Sequence, residues 1–247
     1  MKRLSWQVLL GIALVAMSAI GYLVHFALFG SAHHIFIYLV GDIAFVPIEV
    51  LLVTLIIHRL LSQREKQNVL KKMNMVIGAF FSEVGTGLLM LFSAFDPGAE
   101  DLVGRLADVG DWGRRQFQDA VKDLSARGFE LDSGRGDLGR LRDFLAGKRP
   151  FLLRLLENPN LLEHESFTDL LWAVFHLTEE LIHRGDLQAL PASDHDHLAG
   201  DVKRAYRRLL RQWLAYMNHL RVDYPYLFSL AARTNPFDAE ASAVVEA

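Results

Sequence analysis

The chain has 247 residues, of which 51% are hydrophobic and 22% charged, and its formal net charge at pH 7 is −3. This length accommodates one membrane region and one soluble domain of ordinary size, and the weak negative charge gives no electrostatic reason to expect nucleic acid as a partner. Because the chain has no cysteine, disulfides, thiolate metal ligands and cysteine nucleophiles are excluded. It also has no glycine-rich phosphate-binding loop, and we expect no cofactor.

Two apolar segments open the chain, at residues 6–29 and 35–58, and each is about as long as the ~20 residues that cross a bilayer as a helix. Basic residues lie before the first segment and after the second, whereas the turn at 30–34 has no Lys or Arg. The positive-inside rule therefore predicts a transmembrane hairpin over residues 1–62, with both ends cytoplasmic, in a bacterial inner membrane. The alternative for the first segment is a cleaved signal peptide, although its apolar core is unusually long for one.

Residues 63–98 are predicted to form a helical stalk followed by an amphipathic helix. No Gly or Pro interrupts residues 50–76, so the second span is expected to continue into the charged stalk. Residues 73–95 are apolar enough to form a third span, but their large apolar side chains recur at helical intervals, as in a helix that packs on a core or a membrane surface. The second alternative is favoured, because a third span would place the Arg-rich remainder outside.

Residues 99–237 are predicted to form a cytosolic α-helical bundle, and residues 238–247 a flexible tail. Few stretches alternate with the period of a strand, so no sheet is expected. The strongly amphipathic helices at 166–183 and 195–221 are expected to form the centre of the core. The fold class is thus an all-α membrane protein with a two-helix hairpin, a stalk and a helical bundle. Its predicted bundle helices are 100–107, 112–126, 138–146, 151–157, 166–183, 195–221 and 226–233.

Polar residues in the hairpin are the first candidate site. Asp42 and Glu49 lie seven residues apart, on one face of the second span, where an ionised carboxylate costs at least ~2.5 kcal/mol. Pro47 lies between them and withdraws one backbone donor. On the first span, Ser18 and His25 also lie seven apart, and His25 is expected at the depth of Asp42. These five residues are predicted to line an ion path; the alternative is that they only form hydrogen bonds between helices.

The second candidate is a metal site on the helix at 166–183, where a polar stripe includes the Glu-x-x-His spacing of di-metal helical bundles. A facing helix would have to complete the site. The alternative is that the stripe is an ordinary solvated surface, because it lies opposite the apolar face. The candidate ligands are Asp169, His176, Glu180 and His183, with Asp194, His197, Asp201 and His219 as possible further donors.

A basic set on the helix at 195–221 is the third candidate. Its side chains can contact anionic lipid headgroups, each contributing about 1 kcal/mol near a membrane surface. An ordinary solvent-exposed face is the alternative. The residues are Lys203, Arg204, Arg207, Arg208 and Arg211.

Together these features predict an oligomeric cation or proton channel in which the cytosolic bundle controls a path lined by carboxylates. Two spans per subunit cannot enclose a pore, so a homo-oligomer within the lipid bilayer is required. No nucleophile motif is present, and an enzyme is not expected. The alternatives are a membrane-anchored scaffold or sensor that binds a cytosolic protein and, third, a carboxylate–histidine metalloenzyme.

Overall fold

The computed structural model describes residues 6–159, 161 and 164–245, with side chains described at all of these except 32, 34 and 66–72. Every regular element in these ranges is helical and none of them contains a strand, which confirms the all-helical prediction. The chain divides into two compact units, Met1–Glu65 and Lys66–Ala247. The predictions that involve Lys2, Arg3 and the last two residues of the tail lie outside the described residues.

The first unit contains α1, Trp6–Phe29, and the first part of α2, Ala32–Phe80. The chain reverses at Gly30, whose φ of 62° is left-handed, a conformation that glycine adopts at little steric cost. The backbone N–H of Gly30 donates to the carbonyl of Phe26 at 2.8 Å and so closes the end of α1. Both helices are long and apolar enough to cross a membrane, and none of the residues in their most apolar windows is buried.

A third segment, Met73–Ser93, is also long and apolar enough to cross a membrane, but 44% of its most apolar window is buried within the fold. The ring of Phe80 meets that of Phe167 edge to face, with 5.4 Å between centroids. The ring of Phe81 stacks on Tyr216 with a centroid distance of 5.1 Å. This segment therefore contributes to the hydrophobic core of the second unit.

A π-helical turn, Phe81–Gly85, joins α2 to α3, Thr86–Ser93. Such a turn holds one residue more than an α-helical turn and commonly occurs singly inside a helix. The hydroxyl of Thr86 donates to the carbonyl of Phe81 at 3.0 Å. A Cβ atom at Gly85 would lie 2.5 Å from the Phe81 ring, so the absence of a side chain at Gly85 makes room for that ring.

The elements after α3 are α4 (Ala99–Leu106), a 3-10 turn (Val109–Asp111), α5 (Arg114–Ala126), α6 (Leu138–Leu156), α7 (Glu165–Ile182), α8 (Ala192–Asp223) and α9 (Pro225–Arg233). These helices form a bundle around α8, which packs against α3, α5, α7 and α9, while α7 also packs against α6. The predicted core is confirmed, since Leu170 and Val174 on α7 and Val202 and Leu209 on α8 are fully buried.

The predicted break between helices at 138–146 and 151–157 is wrong, because α6 continues through Gly147 and Pro150. A proline inside a helix loses one hydrogen bond and costs about 3 kcal/mol. Leu145 and Leu152, on either side of the break, are both fully buried. Packing of this continuous apolar face therefore offsets the local preference to end the helix.

Candidate functional site

The two helices of the hairpin form an open pocket of about 470 Å³. Ser18, Tyr22 and His25 from α1 and Tyr38 and Asp42 from α2 are among its lining residues. Three of the five residues predicted for the ion path thus lie together, in the half of the hairpin nearer the turn.

His25 provides the least satisfied polar atom of this pocket. Its ring lies 4.8 Å from the ring of Phe29 and 6.2 Å from that of Tyr38, measured between centroids. Its Nε2 is buried and has no hydrogen-bond partner, although Asp42 lines the same pocket, as the predicted His25–Asp42 pair requires. A buried polar atom without a partner costs about 1–3 kcal/mol, which a water, an ion or a second subunit would offset by binding it.

Glu49 and Pro47 lie on α2 outside this pocket. Glu49 is two helical turns beyond Asp42, and both carboxylate residues are exposed within the hairpin. The helix is unbroken across Pro47. Of the predicted path residues, Ser18, His25 and Asp42 thus line one pocket. Glu49 is a separate exposed carboxylate on a surface that is otherwise apolar.

A second cluster lies between α7 and α8. Each helix contributes a histidine and a carboxylate four residues apart, His176 and Glu180 from α7 and His197 and Asp201 from α8. His176 Nε2 lies 3.3 Å from Asp201 Oδ2 and 3.7 Å from Glu180 Oε1. His197 Nε2 lies 3.4 Å from Asp201 Oδ2 and 3.6 Å from Glu180 Oε2. Two imidazoles and two carboxylates therefore converge.

Two arginines position the carboxylates of this cluster. Arg184 donates to both oxygens of Asp194 at 2.7 Å and to Oε2 of Glu180 at 2.6 Å. Arg204 donates to Oδ1 of Asp201 at 2.7 Å. The hydrogen bond from Arg184 lowers the pKa of Glu180 below its usual range. Glu180 is therefore ionised at neutral pH and held in a fixed orientation.

The predicted metal ligands are only partly brought together. His176 and Glu180 belong to the cluster, whereas His183 lies at the end of α7 with its Nδ1 2.8 Å from the carbonyl oxygen of Glu179. Asp169 points elsewhere, with Oδ2 3.8 Å from Arg208. The sequence prediction rests on the Glu-x-x-His spacing of Glu180 and His183, with a facing helix to complete the site. The signal that identifies the observed cluster is instead a histidine–carboxylate pair four residues apart on each of two adjacent helices.

The predicted basic set lines one groove of about 650 Å³ on α8. Asp169 and Ser166 of α7 are also among its lining residues. Asp169 lies 3.8 Å from Arg208, which leaves the groove with an excess of positive charge. The five basic residues that line it are Lys203, Arg204, Arg207, Arg208 and Arg211.

In the comparison with known proteins, both parts of the chain match the same family. Sequence models of the N-terminal and C-terminal helical domains of the uncharacterized protein MJ1433 match residues 2–61 and 69–233. The protein described as uncharacterized protein MJ1433, from Methanocaldococcus jannaschii, is 44% identical over 241 residues, which cover 98% of this chain and 97% of that protein. No solved structure matches the chain. The boundary between the matched domains includes Glu65, where the two compact units separate. The chain therefore belongs to the MJ1433 family.

Proposed function

We propose that this protein is an oligomeric membrane protein that conducts a cation or protons along a path lined by the polar residues of its hairpin. The observation that carries the proposal is the pocket in which Ser18, His25 and Asp42 lie together on otherwise apolar helices. A carboxylate, an imidazole and a hydroxyl can replace part of the hydration shell of a cation or relay a proton.

A bilayer is the proposed environment of the hairpin because its large apolar side chains are exposed along both helices. Exposure to water costs about 25 cal/mol for each Å² of apolar surface, and lipid removes that cost. The distribution of basic residues supports a hairpin with both ends in the cytoplasm. Because the similar protein is archaeal, the proposed location is the cytoplasmic membrane, without restriction to bacteria.

Association of subunits follows from the position of Glu49, which is exposed on the hairpin. Facing lipid, an ionised carboxylate near mid-bilayer costs at least ~2.5 kcal/mol. Several hairpins with Asp42 and Glu49 turned toward a common axis avoid that cost and enclose a polar path, which two helices alone cannot do. In this arrangement the helical bundle assembles or gates the path, and its basic groove on α8 provides a contact for anionic lipid headgroups.

A membrane-anchored scaffold or sensor is the second candidate. The observation that favours it is the extensive core of the second unit, which includes residues from α3, α5, α7 and α8. A domain with its own core can bind a cytosolic protein without any transport through the hairpin. In that case Asp42 and His25 only contribute polar contacts that hold helices together.

The deciding experiment is ion flux into liposomes that contain the purified full-length protein, measured with Na⁺, K⁺ and a proton gradient. We expect flux in the wild type and its loss in an Asp42→Asn, Glu49→Gln double variant, because the path then lacks its negative charges. Glu65→Gln is the matched control, since this exposed carboxylate lies on the same helix near the end of the first unit.

Unchanged flux in the double variant would eliminate the proposed path. If the wild type conducts none of these ions, the scaffold or sensor becomes the better proposal. Loss of flux in the Glu65→Gln control as well would point to a general effect of charge on α2 and not to a path through the pocket.

A further inference from the structure

We infer that His176, Glu180, His197 and Asp201 bind one divalent transition-metal ion in the helical bundle. This inference is independent of the proposed transport function, because all four residues belong to the second unit. The ion would connect α7 to α8 through one histidine and one carboxylate of each helix.

Distances between the ligand atoms support a site for a single ion. Ligand atoms that lie ~2.0–2.2 Å from a tetrahedral ion are separated from one another by about 3.4 Å. The Nε2 atoms of His176 and His197 lie 3.3 and 3.4 Å from Oδ2 of Asp201. They lie 3.7 and 3.6 Å from the two oxygens of Glu180. Ligand atoms of His176, Glu180 and Asp201 all lie within 4.8 Å of one another, and His197 adds a fourth donor beside Glu180 and Asp201.

Asp201 gives independent support. The residue is 2% exposed, and its Oδ2 is buried without a hydrogen-bond partner. Two imidazole nitrogens lie within 3.4 Å of this oxygen, but neither forms a hydrogen bond with it. A buried charged oxygen in this situation is unfavourable unless something else binds it. A metal ion between the oxygen and the two nitrogens would satisfy all three atoms.

The surroundings of the four ligands resemble the outer shell of a metal site. Arg204 holds Oδ1 of Asp201, which leaves Oδ2 directed at the histidines. Arg184 bridges Glu180 to Asp194 and fixes the orientation of the Glu180 carboxylate. Hydrogen bonds of this kind orient ligating carboxylates and reduce the conformational freedom that is lost when the ion binds.

The donor set determines the class of ion. Mg²⁺ and Ca²⁺ prefer oxygen ligands alone, whereas Zn²⁺, Co²⁺, Mn²⁺ and Fe²⁺ accept imidazole together with carboxylate. The side chains of His176 and His197 are 47% and 52% exposed, so an ion can enter from solvent. The exposed side also lets water act as an additional ligand.

The test uses the full-length protein in detergent, without a polyhistidine tag, after removal of metals by a chelator. Zn²⁺ is titrated and the bound metal is counted per chain, Co²⁺ absorption reports the coordination geometry, and thermal unfolding reports the stabilisation. We expect one high-affinity Zn²⁺ per chain, the visible absorption bands of nitrogen- and oxygen-coordinated Co²⁺, and a Tm that rises with Zn²⁺ but not with the same concentration of Mg²⁺.

Two variants and one control identify the ligands. His197→Gln and His176→Gln are each expected to weaken Zn²⁺ binding at least tenfold, and both positions are about half exposed, so the fold should tolerate them. His183→Gln is the matched control, because this histidine is exposed on the same helix end but outside the cluster. Absence of stoichiometric Zn²⁺ in the wild type would overturn the inference. So would binding that the two variants retain, or binding that all three variants lose equally.

Discussion

Arg127 links three parts of the chain. Its guanidinium donates to the carboxylate of Asp101 at 2.5 Å and to the carbonyl of Gly98 at 2.9 Å. It also lies 5.4 Å from the ring centroid of Phe129 and 4.0 Å from Oδ2 of Asp96. This Oδ2 atom is buried and has no hydrogen-bond partner. Arg127 is therefore the positive charge that compensates a buried carboxylate.

Replacement of Arg127 by Gln is expected to lower the free energy of unfolding by about 1–3 kcal/mol. The variant leaves the carbonyl of Gly98 without its hydrogen-bond donor and the buried carboxylate of Asp96 without a nearby positive charge. Chemical denaturation of the full-length protein in detergent measures the change. Arg105→Gln is the control: its pair with Asp101 is exposed on both sides, so its stability effect should be much smaller. Equal losses in the two variants would contradict a special role for Arg127.

Asp101 should make a modest contribution to the pH dependence of the stability of the fold. Hydrogen bonding and charge from Arg105, with a contribution from Arg127, lower the pKa of Asp101 from its usual value of 3.8. A carboxyl that is more acidic in the folded chain stabilises it above that value, and the stabilisation is lost as the pH falls below it. We therefore expect Arg105→Gln to reduce the loss of stability on acidification below pH 3.8, as measured by Tm. An unchanged pH profile would contradict this assignment.

At the scale of single residues, the sequence predicts the types of ligand better than their grouping. Helical periodicity correctly places His176 and Glu180 on one side of α7. It also includes His183 and Asp169, because a stripe on one helix does not indicate which part of it a neighbour covers. That depends on the rotation and register of α8, which direct Asp201 into the cluster. In the hairpin, similar reasoning brings Ser18, His25 and Asp42 together, because a short turn fixes the alignment of the two antiparallel helices along their axes.

Among the elements, the π-helical turn leaves little room for an added side chain at Gly85. Gly85→Ala would place a Cβ atom 2.5 Å from Phe81 and 3.0 Å from Phe80, so the ring that stacks on Tyr216 would have to move. We expect a loss of about 1–3 kcal/mol in the free energy of unfolding, as for other overpacked cores. The measurement is again chemical denaturation in detergent.

Gly104→Ala is the matched control for this prediction. Gly104 lies inside α4, it is exposed, and nothing lies within 4 Å of an added Cβ atom. Alanine is favoured over glycine in a helix, so this variant should gain up to about 1 kcal/mol. Similar effects at both positions would show that helix propensity, and not contact with Phe81, decides the outcome.

Local signals predict most helices but not the course of α6 or the π-helical turn. Gly147 and Pro150 are strong signals for the end of a helix, yet α6 continues because its leucines on both sides are buried. The π-helical turn has no comparable signature in the sequence; in the structure its Phe81 ring stacks on Tyr216 of α8. In α6, packing between distant parts of the chain outweighs the preference of a short segment.

At the scale of the whole molecule, the second unit should fold without the hairpin. A fragment of residues 66–247 retains the buried side chains of Met73, Ile77 and Phe80, which pack in its core. We expect it to be soluble, helical and cooperatively unfolded by heat, as measured by circular dichroism. A fragment of residues 82–247 lacks these side chains and is expected to aggregate or unfold.

This pair of fragments also discriminates between the two alternatives for the third apolar segment. If residues 66–247 require detergent to remain in solution, Met73–Ser93 belongs to the membrane. Composition alone cannot distinguish a buried helix from a span, because lipid and a protein core select the same side chains. The burial of 44% of its apolar window is the observation that favours the core.

The burial of Met73–Ser93 has a consequence for biosynthesis. Its partners Phe167 and Tyr216 lie on α7 and α8, which leave the ribosome long after the segment itself. With the proposed topology, the insertion machinery first inserts the two helices of the hairpin and then meets this third apolar helix. At that time α7 and α8, which cover the helix in the folded protein, have not yet been synthesised. The basic residues between Arg64 and Lys72 oppose export of this region. If the hairpin is inserted as proposed, we expect the placement of this segment to be decided during translation, by competition between entry into lipid and the later arrival of α7 and α8.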